Sequence, residues 1–176
     1  MLYLQQTLTD NEELIHIGRF HWMYTLKAVM SIVWGVIFSI AFIVGVIYFK
    51  QNYMDGFQSS SVRGMIGEIH PGVRLMTFFI FVIGILRFAQ MMVIKATTEI
   101  AVTTSRLIYK RGLVARHVGE MSIDRIEGVN VLQSLFGRLF DYGRLAIRGM
   151  GVGEVVLPPI DNPLLFRRAI EKARNT

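Results

Sequence analysis

The chain has no cysteine. Disulfides, thiolate metal sites and cysteine nucleophiles are excluded with it. Histidine is scarce. The four are His16, His21, His70 and His117, and their spacing matches neither H-x-x-x-H nor H-E-x-x-H, so no metal is expected. No G-x-S-x-G nucleophile elbow occurs. The glycine-rich run Gly149 to Gly153 lacks the lysine and the following helix of a phosphate loop. Asp124 and Glu127 flank Arg125 and read as solvated or paired with it. The expectation is a protein that is not an enzyme and holds no cofactor.

Charge is missing from two long stretches. Ala28 to Phe49 runs for 22 residues without a charged side chain. Leu75 to Ile94 carries only Arg87. A helix of about 20 apolar residues crosses a hydrocarbon core about 30 Å thick, and in lipid the backbone must satisfy its own hydrogen bonds. The sequence predicts a transmembrane hairpin of helices 28–49 and 75–94, joined by an extracytoplasmic loop, 50–74. That loop is polar and turn-rich, with DGFQSSS and then His-Pro-Gly at 70–72. The first charges are acidic and the apolar run starts late, so it reads as a retained anchor rather than a signal peptide. Arg19, Lys27, Lys95, Arg106, Lys110 and Arg111 flank the hairpin's open end, against Lys50, Arg63 and Arg74 in the link. This excess favours cytoplasmic termini. Trp22 and Tyr24, and Tyr48 and Tyr53, stand where aromatic belts meet the headgroups.

Within the first run Ser31, Gly35 and Ser39 recur every four residues, a spacing that lets helices approach closely. They suit an oligomer seam or, more simply, packing against the second run. In the second run Gly84, Arg87 and Gln90 are three residues apart and form a polar stripe. A mid-helix charge costs about 2.5 to 3.5 kcal/mol on insertion scales. Arg87 either snorkels toward phosphate or meets a backbone or second subunit.

Beyond Ile94 the texture changes to short β-rich runs: TEIAVTT, RLIYK, HVGEMSI, VNVLQ, RLAIR and EVVLPPI. Gly112 suits a bulge or turn, and Gly149 to Gly153 a loose hairpin connection. Ser134 to Phe140 reads as a helical turn closing at Tyr142-Gly143. Asn162 and Pro163 read as the N-cap and first residue of a last helix. Its apolar stripe is Leu165, Phe166, Ala169, Ile170 and Ala173. The N-terminal segment 1–27 reads as cytoplasmic or interfacial, and the structure of residues 1–23 stays open: Leu14, Ile17 and Phe20 fit an interfacial helix, and residues 13–17 fit a strand added to the later domain.

The runs T-x-x-R-L-I-x-x-x-G-L to Leu113, E-x-S-I-x-R-I-E-G-V from Glu120 to Val129 and Q-S-L-F-G-R-L-F-D-Y-G from Gln133 to Gly143 resemble the bacterial pleckstrin-homology-like family of the membrane-flanked type. I-R-G-x-G and P-I-D-N-P-x-x-F-R-R extend the likeness, which covers about residues 97–173. The resemblance implies a cytoplasmic PH-like domain over 97–176: a bent antiparallel sheet or partly open barrel of about seven strands, capped by a C-terminal helix. The whole is then an α-helical membrane hairpin plus an α+β or all-β PH-like domain, in a bacterial cytoplasmic membrane. The resemblance supplies no activity, and a fold alone supplies none.

From Lys95 onward there are 13 Lys or Arg against 8 Asp or Glu. Arg106, Lys110, Arg111, Arg116 and Arg125 gather around one predicted hairpin. They are either a solvated strand face or a contact for anionic lipid or a partner, at about 1 kcal/mol per near-surface cation. Nucleic acid is not expected, because the aromatics fall on core positions rather than stacking platforms. Two functions follow. One is a membrane-anchored scaffold that holds a protein partner, a second copy of itself or anionic lipid. The other is a subunit of an oligomeric transporter or channel, with Arg87 in a polar path.

Overall fold

The computed structural model describes residues 12–53, 64, 67, 69–112, 117–151 and 153–175. They fall into two compact units: Thr25–Met92, and the chain on either side of it. The run Asp55 to Ser61 and Val152 lie outside the described residues.

Two helices carry the first unit. α1 (Trp22–Tyr53) has 32 residues and α2 (Pro71–Thr97) has 27. Both outlast the uncharged runs, because polar and aromatic flanks continue the helix at either end. A histidine sets the start of each. His21 Nδ1 accepts from the Met23 N–H at 3.2 Å, and His70 Nδ1 accepts from the Gly72 N–H at 3.1 Å. Each gives a first-turn donor a partner that the helix cannot supply. Pro71 then takes the first helical position, where a missing N–H removes nothing.

The two helices pack as a hairpin at a seam of small residues. Ser31 Oγ donates to the Gly84 carbonyl at 3.3 Å and to the Ala28 carbonyl at 2.6 Å. A Cβ on Gly35 would stand 3.1 Å from Gly84 Cα. Elsewhere the helices are bare and apolar. Trp34, Phe38, Ile40, Phe79, Ile83 and Leu86 are all at least half exposed. Only 11% and 6% of the two most apolar windows are buried, whereas the core helix of a soluble protein is mostly covered. Both helices are long and apolar enough to cross a membrane.

The second unit is β-rich. One antiparallel sheet has the order β1 (Leu14–Gly18), β2 (Glu99–Thr103), β3 (Arg106–Arg111), β4 (His117–Ser122). A 3-10 turn at Ile123–Arg125 leads into the second sheet, β5 (Ile126–Leu132), β6 (Tyr142–Gly149) and β7 (Gly153–Val156), with β8 (Ile160–Asp161) on β6. α3 (Leu135–Leu139) links β5 to β6, and α4 (Pro163–Arg174) closes the chain. The expected bent sheet is thus two antiparallel sheets divided at the turn, and the expected close at Tyr142-Gly143 is the start of β6.

The N-terminal question resolves as a strand. Leu14 to Gly18 pairs with Ile100 to Thr103. The helical hairpin is therefore inserted between two adjacent strands of one sheet. Three residues join β1 to α1 and one joins α2 to β2.

The core lies between the sheets and α4. Ile100, Val102 and Leu107 meet Leu145, Ile147, Ile160, Phe166 and Ile170 there. Phe166 is fully buried, which stabilises the lobe by about 1.5 to 3 kcal/mol relative to exposure. One expectation for α4 needs correcting. Leu165 is half exposed, because the buried stripe runs Pro163, Phe166, Ala169, Ile170, Ala173 and Leu165 falls one residue out of phase. Asn162 is the N-cap and Pro163 the first helical residue, as expected; Asn162 takes the left-handed region, at φ 48°, and its side chain makes no cap bond. The Asn162 carbonyl instead accepts from the Leu165 and Phe166 N–H groups, both at 3.1 Å.

Candidate functional site

The basic residues that stand together in sequence do not form one patch. β3 and β4 pair from Arg106↔Ser122 to Arg111↔His117. Lys110 and Arg111 therefore sit at the turn end of that hairpin, and Arg106 and Arg125 at its open end. Five residues of strand, about 17 Å, separate the two ends. Arg116 lies outside the described residues. Lys110 Nζ is 3.6 Å from Glu99 Oε1, while Arg111 and Arg125 are exposed.

Arg106 is held in a clamp. Its Nε and one terminal nitrogen donate to Glu12 at 2.9 and 2.7 Å, and its other terminal nitrogen donates to Glu120 at 2.8 Å. Glu12 also accepts from the Thr103 hydroxyl at 2.6 Å and the Ser105 hydroxyl at 3.0 Å. The hydrogen bond to Glu12 raises the Arg106 pKa above its ordinary value. This network ties the segment before β1 to the β2–β3 turn.

On the helices, Gly84 is buried while Arg87 and Gln90 are exposed. The three do not share an environment, although they are spaced along one stripe. Ser31, Gly35 and Ser39 all face the interior of the helical unit, half-buried at Ser31 and buried at the other two. Ser39 Oγ donates back to its own helix at the Val36 carbonyl, 2.9 Å away.

A hollow of about 510 Å³ lies beside β1, lined by Ile15, His16, Arg19, Asp161 and Leu165 among others. The His16 ring meets Phe166 edge-on at 5.7 Å. Burial, and then the Arg19 charge, hold the His16 pKa below its usual 6.5. The unfolded chain therefore takes up the proton first. The contribution of His16 to stability is full above pH 6.5 and is lost as the pH falls through that value toward the depressed folded one. The expected result is a melting temperature that drops from pH 7.5 to 5.5, about the range where histidine titrates. The drop should be smaller in His16→Gln. An equal drop in both proteins would refute the assignment.

A second hollow, about 520 Å³, is lined by Leu132, Gln133, Arg138, Leu164 and Arg167 among others. Neither hollow sets a nucleophile beside a base. Among the described residues no group of three His, Asp or Glu side chains could hold a metal ion.

Two features of the β unit escaped the sequence reading. One is the apolar ridge on α3, where Leu135, Phe136 and Leu139 are 84%, 66% and 74% exposed. The other is a ring of aromatics at the start of α1. His21 is buried and stacks on Tyr142 at 5.1 Å, and Trp22 meets Phe140 edge-on at 5.8 Å. The signal for the ridge was legible in the run L-F-G-R-L-F, which is too short for a core helix.

The family profile described as the bacterial PH domain matches residues 14–174, from β1 through α4. No curated protein and no solved structure matches the chain.

Proposed function

The chain belongs to the bacterial PH domain family, and from that premise we propose that it is a non-enzymatic, membrane-anchored binding module. Its helical hairpin spans the bacterial cytoplasmic membrane. Its β lobe holds a protein partner, a second copy of the chain or anionic lipid at the cytoplasmic face. The observation that carries this reading is the insertion of two bare apolar helices between neighbouring strands of one sheet. Connectors of three residues and one residue tether the lobe at two points to the bilayer surface. Exposed Arg111, next to the Lys110↔Glu99 pair that begins β2 just after α2, then lies within reach of anionic headgroups, adding about 1 kcal/mol when near the surface; Arg125, at the opposite end of that hairpin, does not share the contact. Cytoplasmic termini follow from the lysine and arginine excess on the flanks of the hairpin.

The transport reading draws on Arg87, exposed on an apolar helix. It is weaker, because Gly84 is engaged by Ser31 of the same hairpin and cannot also line a path with Arg87.

The test is the subunit count and co-purifying partners of the full chain in mild detergent, followed by binding to nanodiscs with and without phosphatidylglycerol. The expected result is an assembly joined through the β lobe, a co-purifying membrane protein or a preference for the anionic discs. A lone monomer with neither partner nor lipid preference overturns the proposal. A closed ring with Arg87 at a central lumen would favour transport.

A further inference from the structure

We infer that the α3 ridge is a second membrane contact: a rigid apolar tooth that seats in the headgroup–acyl boundary of the bilayer. The inference rests on the anchoring reading above.

The ridge is built, not loose. Ser134 caps α3, its Oγ accepting from the Gly137 N–H at 3.1 Å. The Arg138 N–H reaches the Ser134 carbonyl at 2.9 Å, and the Phe140 N–H reaches the Phe136 carbonyl at 3.0 Å. Gln133 Nε2 donates to the Gly137 and Tyr142 carbonyls at 3.4 and 3.3 Å. Gly137 permits the fold-back, since a Cβ there would stand 2.6 Å from the Tyr142 carbonyl oxygen. A backbone held this firmly presents Leu135, Phe136 and Leu139 outward by construction.

What covers them follows from position. Phe140, at the end of the ridge, lies against Trp22, the first residue of α1. Trp22 is six residues ahead of the uncharged run that begins at Ala28. Six helical residues rise about 9 Å, which sets Trp22 outside the hydrocarbon core on its headgroup side, where tryptophan collects. The ridge is thus continuous with the belt residue of the span. Its one charge, exposed Arg138, has a stem long enough to lie along apolar surface while its guanidinium meets phosphate. An apolar face with a cation at its margin is the pattern of an interfacial contact.

The cysteine-free chain makes the test direct. Leu139→Cys gives one attachment point for an environment-sensitive fluorophore. Glu127→Cys, exposed on β5, and Ile40→Cys, on α1, give two references. Each full-length protein is reconstituted in phosphatidylcholine–phosphatidylglycerol vesicles with iodide on both sides, or with a shallow or deep spin-labelled lipid. The probe at 139 should be quenched by the shallow label and shielded from iodide, as the probe at 127 is not. Adding Leu135→Ser and Phe136→Ser should shift the lipid-facing to water-facing ratio by about tenfold per residue. Both side chains are exposed, so the melting temperature in detergent should not move.

Three outcomes overturn the inference. A probe at 139 open to iodide, with the probe at 40 quenched by deep label, removes the tooth and leaves the anchor standing. A probe at 139 shielded from both iodide and lipid means that a second copy covers the ridge. A probe at 40 open to iodide removes the anchoring reading itself, and the ridge contact falls with it.

Discussion

Gly84→Leu is expected to open the helical hairpin, at a loss of about 3 kcal/mol or more. A Cβ at this position would stand 2.8 Å from the Ser31 carbonyl oxygen and 3.0 Å from Gly35 Cα. Both obstacles are backbone, so no side chain can swing aside, and the helices must part along the seam. Separation also removes the Ser31 Oγ to Gly84 carbonyl bond, worth about 0.6 kcal/mol on average in such settings. Gly45→Leu is the control, because a Cβ on Gly45 meets nothing within 4 Å. There the better helix propensity of leucine should leave stability level or slightly higher. The measurement is resistance of the reconstituted or micellar protein to unfolding in sodium dodecyl sulfate, followed by circular dichroism. Equal resistance of the two variants would show that the close approach at Gly84 does not hold the hairpin.

The parts of the fold that sequence reveals are those whose cause is local. The uncharged runs mark both helices, and the run RLAIR reads as a strand because Leu145 and Ile147 are buried between exposed Arg144 and Arg148, although Ala146, on the arginines' face, is buried as well. The parts it hides depend on distant partners. Leu14 to Gly18 satisfies both periods. It becomes a strand only because β2, more than eighty residues on, offers an edge. The basic cluster was a neighbourhood in sequence that the β3–β4 register pulls to opposite ends of a hairpin. The histidines lack metal-ligand spacing, and two of them have a different, local use. His21 and His70 each give a first-turn helix N–H an acceptor, a role commonly read from Ser, Thr, Asp or Asn. Asn162 shows the converse. It has the right residue type for a capping side chain, yet the chain reverses through its left-handed backbone, a conformation asparagine tolerates.

Arg106→Leu is expected to destabilise the β lobe by about 3 kcal/mol. The Glu12 side chain is only 4% exposed, against 23% for Arg106, so removing the guanidinium leaves a carboxylate in the interior without its bidentate cation. The hydroxyls of Thr103 and Ser105 still reach Glu12 Oε1, which keeps the loss below that of a bare buried charge. Arg106→Lys should recover only part of it, because one ammonium cannot make two parallel bonds to Glu12 and a third to Glu120. Removing both charges, as Glu12→Gln with Arg106→Leu, should cost less than the sum of the single changes. The desolvated carboxylate is then gone as well. The readout is denaturant unfolding of the full chain in detergent, with the coupling taken from the double-mutant cycle. Since Glu12 and Arg106 are 94 residues apart, a coupling near zero would mean that β1 is held to the lobe by its ladder and core contacts alone. A large one makes this clamp the fastening that keeps β1 on β2, and with it the two-point tether that the proposed anchoring requires.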